Sequence, residues 1–273
     1  YNTITSSLLQ EQVITQFDDA LKNAPGIDKL WTSTGRGGDG AAYFSLRGFS
    51  VQASMINGVA GLTNGGLDPA NIERIEVIKG PSGTLFGSSL VSFGGLINLQ
   101  TKRPYDTVGG EISYTGGGFG LNRLTADINT PLNVSKKALF RLNTAYHSEG
   151  SFQDAGFRKS LFVAPSFSLK ANEKLSFLLN TEFYQSEATN PLMLFLNRTR
   201  KLNATHVDEL KVDFNRSFTG NDITIKTPTV NLFGQMTYKL SNTWTSQTNI
   251  SRSTRKSDGY YSYVMYILPG DSL

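Results

Sequence analysis

From about residue 105 onward the chain alternates apolar and polar residues, one for one, in long runs, and this alternation most limits what it can fold into. Leu124, Ala126 and Ile128 interleave with Arg123, Thr125, Asp127 and Asn129. Phe140, Leu142 and Tyr146 interleave with Arg141, Asn143 and His147, and Val230, Leu232, Met236 and Tyr238 with Asn231, Gln235, Thr237 and Lys239. A period of two puts one set on each face of a β-strand, so each segment predicts an antiparallel strand with one apolar and one polar face. A soluble sandwich shows the same alternation. The links distinguish the two: those near 170–174 and 239–243 are tight, whereas 186–227 is long and polar, and short turns at one end with long loops at the other is the arrangement of a membrane barrel. Roughly seven such strands, each near the ~10 residues that cross a bilayer at a tilt, are expected.

Composition narrows the function. With 26 basic residues against 22 acidic, scattered along 273 positions, the net charge of +4 forms no basic stripe of the kind nucleic acid selects. There is no cysteine, and the two histidines, His147 and His206, stand in unrelated segments, so no protein metal site is expected. No nucleophile elbow, Walker loop or paired-carboxylate motif is present, and the chain is not expected to be an enzyme. Gly35, Gly37 and Gly40 spell a dinucleotide fingerprint, but the motif follows Trp31-Thr32-Ser33-Thr34 rather than a hydrophobic strand and runs into a β pattern rather than a helix that could receive a pyrophosphate, so a flexible loop is the better reading.

Residues 1–104 have a different texture. Phe17, Ala20, Leu21 and Ala24 recur at helical spacing and Pro25-Gly26 ends the pattern, which predicts a short amphipathic helix over 16–23. Strands are predicted at 42–46, 54–56, 74–79 and 96–101, with a helical turn near 82–86 between glycines 80, 83 and 87. Three phrases occur here in order: LRGF at 46–49, ANIERIEVIKGPSGTLFG at 70–87 and GGLINLQTKRP at 94–104. Together they resemble the plug domain of TonB-dependent outer-membrane receptors, and within that family the siderophore receptors of the ferrichrome type.

The resemblance implies an α/β plug domain, residues 1–104, followed by the start of an antiparallel transmembrane β-barrel, residues 105–273, of which 22 strands are expected in the full protein. The chain is then the N-terminal portion of a longer receptor that ends within an extracellular excursion, and its TonB-contacting segment lies upstream of Tyr1. The implied function is import of a ferric siderophore across the bacterial outer membrane, energised by TonB with ExbB and ExbD. No cofactor is implied, because iron arrives chelated. By the same resemblance Arg36, with Trp31, Tyr43, Gln52, Leu62, Thr63 and Asn64, is a candidate for contacting the ligand. A guanidinium and aromatic faces suit an oxygen-rich chelate. Arg47, Glu73, Arg74, Glu76 and Lys79 are candidates for a lock holding the plug to the barrel wall. Glu111, Asp127 and Glu182 are acids of the early strands, and none is an obvious partner for both Arg47 and Lys79. A receptor for cobalamin, haem or a glycan, or a plugged barrel with a structural role in an envelope assembly, are the alternatives.

Overall fold

A computed structural model describes residues 1–36, 41–60, 67–80, 93–190, 194–196, 205–210 and 212–266. The N-terminal region begins with β1 (Asn2–Thr5) and α1 (Ser6–Glu11), whose first turn is capped by Thr5, Leu8 N donating to Thr5 Oγ1 at 3.4 Å. The expected amphipathic helix is α2 (Phe17–Ala20), continued as a 3-10 turn over Leu21–Asn23. Phe17, Ala20, Leu21 and Ala24 all lie in the core, and Phe17 meets Phe44 edge to face at 6.4 Å.

Strands β2 (Ile27–Trp31), β3 (Tyr43–Leu46) and β4 (Phe49–Val51) form a small antiparallel sheet. A second sheet contains β5 (Ala53–Ile56), β6 (Val59–Ala60), β7 (Ile72–Lys79) and β8 (Gly95–Thr101) in the order β1-β7-β8-β5-β6. Ile75 and Val77 of β7 and Ile97 of β8 are wholly buried between this sheet and the helices. The helical turn expected near 82–86 lies outside the described residues.

Gly95 opens β8 at a φ of 139°, and a β-carbon there would collide with the Ile78 carbonyl of the neighbouring strand. Gly95→Ala is expected to destabilise the plug by about 2 kcal/mol or more, strain and overlap adding together. Gly26→Ala, also at positive φ but with open space around it, carries the strain alone. Protease sensitivity of residues 1–104 within the full-length protein compares the two, and equal sensitivity would refute the close approach.

Beyond Thr101 the chain enters a nine-stranded sheet. Its long strands are β9 (Gly109–Gly117), β10 (Leu121–Pro131), β11 (Ala138–Gly150), β12 (Phe157–Lys170) and β13 (Leu175–Ala188), each antiparallel to the one before. After β14 (Leu194–Leu196) and β15 (Ile225–Lys226) the meander resumes with β16 (Thr229–Lys239), paired to β13, and β17 (Thr245–Arg255). The short β18 (Asp258–Gly259) pairs with β15, while β19 (Val264–Tyr266) pairs with β14. Seven long strands therefore run in sequence order, as the alternation predicts.

The faces follow the pattern too. Leu124, Ile128, Tyr146, Leu161, Leu179 and Phe183 point to the exposed outer face, while Arg123, Asn129, Asn143 and His147 are buried on the inner one, against the plug. Among the described residues no helix is long and apolar enough to cross a membrane. A one-residue slip of β10 would turn Arg123 and Asp127 outward, so the burial of one face sets the register.

Candidate functional site

The plug is held to the inner face of the sheet by two short segments flanking β7 and β8. Residues 67–71 precede β7, and Asp68 there has two roles. Its Oδ1 accepts from Ala70 N at 2.9 Å, capping a 3-10 turn over Pro69–Asn71, and both its oxygens receive Arg123 of β10. Arg123 Nη2 donates to Oδ1 at 2.6 Å and Nη1 to Oδ2 at 3.0 Å. The Arg123 side chain is 5% exposed and that of Asp68 0%, so this is a forked ion pair sealed from water. Next to it, Asn71 Nδ2 donates to Glu182 Oε1 of β13 at 2.9 Å, and Asn231 of β16 occupies the other oxygen, also at 2.9 Å.

The second docking segment follows β8. Lys102 Nζ donates to Asp127 Oδ2 at 2.9 Å, and Arg141 of β11 forks onto the same carboxylate with two bonds of 2.8 Å. Arg141 Nη1 also donates to the Arg103 carbonyl at 2.9 Å, and its guanidinium lies over the Tyr105 ring. Asn129 closes the run, accepting from Tyr105 N at 3.0 Å and donating to the carbonyls of Tyr105 and Thr107. Asp127 thus joins one cation of the plug to one of the sheet.

The residues singled out for a lock are arranged differently. Glu76 is satisfied inside the plug: Arg74 Nε and Asn98 Nδ2 both donate to it at 2.7 Å. Burial raises its carboxyl pKa, but the hydrogen bonds from Arg74, Asn98, Tyr1 and Gln100 outweigh that and hold it below the usual carboxylate range. A depressed folded-state pKa means the stabilisation is complete above the unfolded value and is lost as pH falls through the folded one. Glu76→Gln is therefore expected to flatten the acid limb of plug stability below about pH 4.5. Urea titrations of wild type and variant across that range measure it; parallel acid limbs would disprove it.

Glu73 is exposed, beside an open cleft shared with Arg103 and Arg141. Arg47 stands exposed at the β3–β4 turn with a φ of 54°. Its Nη1 lies beside Gly80, next to Lys79. The two cations thus share the end of β7 opposite Asn71, and neither forms an ion pair among the described residues.

At the long-loop end a cavity of about 360 Å³ lies between plug and sheet, lined among others by Gln16, Asp18, Thr34, Glu149, Arg158 and Tyr184. Burial pushes the Asp18 carboxyl up, partly opposed by Lys29. Gly35 packs against Ile225 and Thr227 and accepts a hydrogen bond from Ser257 Oγ, so Gly35 itself is seated under the outer ends of the strands. A strand, β2, does precede the glycine loop, contrary to the sequence reading. The next described element is β3, and among the described residues no helix follows Gly35 before it. Arg36 lies over the Tyr261 ring at 5.0 Å, and the Trp31 and Tyr43 rings meet at 4.5 Å, tilted by 44°, across the β2–β3 pair. Gln52 turns back to donate to the Ala41 carbonyl at 3.4 Å. Leu62, Thr63 and Asn64 lie outside the described residues.

The family model of the TonB-dependent Receptor Plug Domain matches residues 1–92. The chain carries a TonB-dependent receptor plug. Over 115 residues the chain is 36% identical to the metal-pseudopaline receptor CntO of Pseudomonas aeruginosa, covering 42% of this chain and 16% of the relative. Over 189 residues it is 30% identical to the ferrioxamine receptor of Yersinia enterocolitica, covering 65% of this chain and 25% of that one. The crystal structure of the ferric-catecholate import receptor Fiu of Escherichia coli, in its closed form, superposes with a TM-score of 0.79 at 24% identity, over 94% of this chain and 37% of that one. The last likeness concerns the fold. The chain spans a quarter or less of these two curated relatives. The TonB-dependent receptors that it resembles are outer-membrane proteins, and this chain shares that location.

Sequence reasoning missed Asp68, Lys102, Arg123 and Arg141 as the residues that join plug to barrel. The signal was present: an arginine or aspartate on the inner face of a membrane strand needs a partner, and the plug is what faces it.

Proposed function

We propose that this chain is the plug and first barrel strands, residues 1–104 and 105–273, of a receptor that captures a ferric siderophore and imports it by TonB-energised transport. The observation that carries this reading is the division of the plug–sheet interface. It is cross-linked by buried ion pairs at mid-height, and it opens into a polar and aromatic cavity at the long-loop end. A ligand arriving from outside meets the cavity first, and the paired carboxylates below hold the plug closed beneath it. In this reading Arg36, Trp31, Tyr43 and Gln52, with Leu62, Thr63 and Asn64, face the chelate. TonB, with ExbB and ExbD, moves the plug from the opposite side. Arg47 and Lys79, at the end of β7 opposite Asn71, complete the lock with carboxylates on other strands of the barrel.

The test is binding and uptake of iron-labelled catecholate and hydroxamate siderophores by the full-length receptor in cells with and without TonB. Binding in both strains with uptake in only the TonB-positive one is expected. Failure to bind any ferric siderophore would sink the proposal. Arg47→Ala is expected to keep binding while changing uptake, since it lies far from the cavity. The likeness to a metal-pseudopaline receptor favours one second reading, a metallophore carrying a metal other than iron. The same assay with the metal exchanged decides between them.

A further inference from the structure

The plug loop that carries Arg36 is gripped by two outer segments of the barrel portion, one preceding β16 and one following β17. From the first, Thr227 and Ile225 press on Gly35, where a β-carbon would come within 3.1 Å of Thr227 Cγ2 and 3.2 Å of Ile225 Cγ2. From the second, Ser257 Oγ donates to the Gly35 carbonyl. One residue on, the Arg36 guanidinium lies over the Tyr261 ring, 5.0 Å from its centroid and within the range of a cation–π contact. Arg36 N donates to Thr34 Oγ1 at 3.2 Å, which fixes the backbone from which the guanidinium projects.

Tyr261 is anchored on both flanks. On one side β18 pairs with β15, and Tyr260 N donates to the Thr224 carbonyl at 2.8 Å. On the other, a single side chain holds both backbone groups of Ser262. Asn190 Nδ2 donates to the Ser262 carbonyl at 2.7 Å, and Ser262 N donates to Asn190 Oδ1 at 3.1 Å. Asn190 is buried and stands two residues past the end of β13. Tyr263 then stacks on Tyr261, with centroids 6.3 Å apart. A ring fixed in this way offers the guanidinium one face at one height.

The long arginine side chain loses rotamer freedom when it binds a ligand, and a ring that already holds it reduces that loss. The ring occupies the flat face of the guanidinium, whereas the N–H donors lie in its plane. Stacking on Tyr261 and donation to oxygen atoms are therefore compatible.

We propose that Tyr261 is a positioning residue for ligand capture, holding the Arg36 guanidinium in the orientation that an oxygen-rich ferric chelate meets, with Ser257 securing the backbone beneath it. The inference rests on Arg36 as a ligand contact. It adds the segment after β17 to a site otherwise drawn from the plug alone.

The experiment uses the full-length receptor in neutral detergent, with a ferric trihydroxamate and a ferric tricatecholate as probes. Wild type is compared with Arg36→Ala, Tyr261→Ala, Tyr261→Phe and the double variant Arg36→Ala/Tyr261→Ala. Tyr261→Ala is expected to weaken binding by about three- to tenfold, the worth of a cation–π contact. Tyr261→Phe keeps the ring and is expected to stay within about twofold of wild type. The double variant should bind as Arg36→Ala does, because Tyr261 acts through Arg36. Hydrogen exchange over residues 30–36, measured without ligand, is expected to rise in Tyr261→Ala and to stay at the wild-type rate in Tyr261→Phe. Equal binding by Tyr261→Ala and wild type, additive losses in the double variant, or unchanged exchange in Tyr261→Ala would overturn the proposal and leave the receptor reading standing. A wild type that binds neither probe would overturn the receptor reading, and this proposal with it.

Discussion

Arg123→Ala is expected to loosen the plug from the barrel by about 3 to 5 kcal/mol, because it leaves Asp68 as a buried carboxylate with no cation. The pair is closed to water on both sides, 5% and 0% exposed, so solvent cannot take over the lost bonds. Asp68 would keep its bond from Ala70 N, which is why the 3-10 turn over Pro69–Asn71 is expected to survive while the contact to β10 fails. Removing both charges, as Arg123→Leu with Asp68→Leu, should recover most of the loss, since the cost lies in the unpaired ion rather than in the absence of the pair. Hydrogen exchange of the plug amides in the full-length receptor, with urea titration, measures the three proteins. A single-variant loss below about 1 kcal/mol, the value of an exposed ion pair, would show that water reaches the site. Channel conductance of the Arg123→Ala receptor supplies a functional readout, since a loosened plug should leak.

Leu179→Arg is expected to destabilise the barrel by up to about 2 to 4 kcal/mol when the receptor is folded into phospholipid vesicles, because the side chain points outward from β13 toward lipid. The same arginine at Gln235, on the inner face of the adjacent β16, is expected to cost much less. There the residue already bonds Asn249 across the ladder, in a polar setting. Comparing the two by reversible unfolding from vesicles measures the difference between the faces. If Gln235→Arg were the more damaging, the assignment of outer and inner faces would be reversed.

Much of the barrel was legible because its signal is local. A strand buried against protein on one face and lipid on the other must alternate, and Leu124, Ile128, Tyr146 and Leu232 announced their side at once. The plug core was legible in the same way through Phe17, Ala20, Leu21 and Ala24, whose spacing needs nothing beyond one helical turn. The boundaries were less exact: β1, α1, β2 and β4 are too short or too polar to carry a periodic pattern, and pairing with β7 or β3 is what makes the strands among them strands.

The candidate site divides along the same line. Charged residues of the IERIEV run drew attention to Glu76, yet Glu76 is spent on Arg74 and Asn98 within its own sheet. The residues that bind plug to barrel are separated by long stretches of chain: Asp68 from Arg123, Lys102 from Asp127, Asn71 from Glu182. By itself the sequence determined which face of β10, β11 and β16 meets lipid, because that depends only on a period of two and the cost of a charge in hydrocarbon. It also determined that an α/β plug precedes the strands. Which inward charge meets which plug residue was decided only by the tertiary structure. Several acids and several cations satisfy the alternation equally, and the choice among them is made by the height and rotation at which the plug docks against the wall.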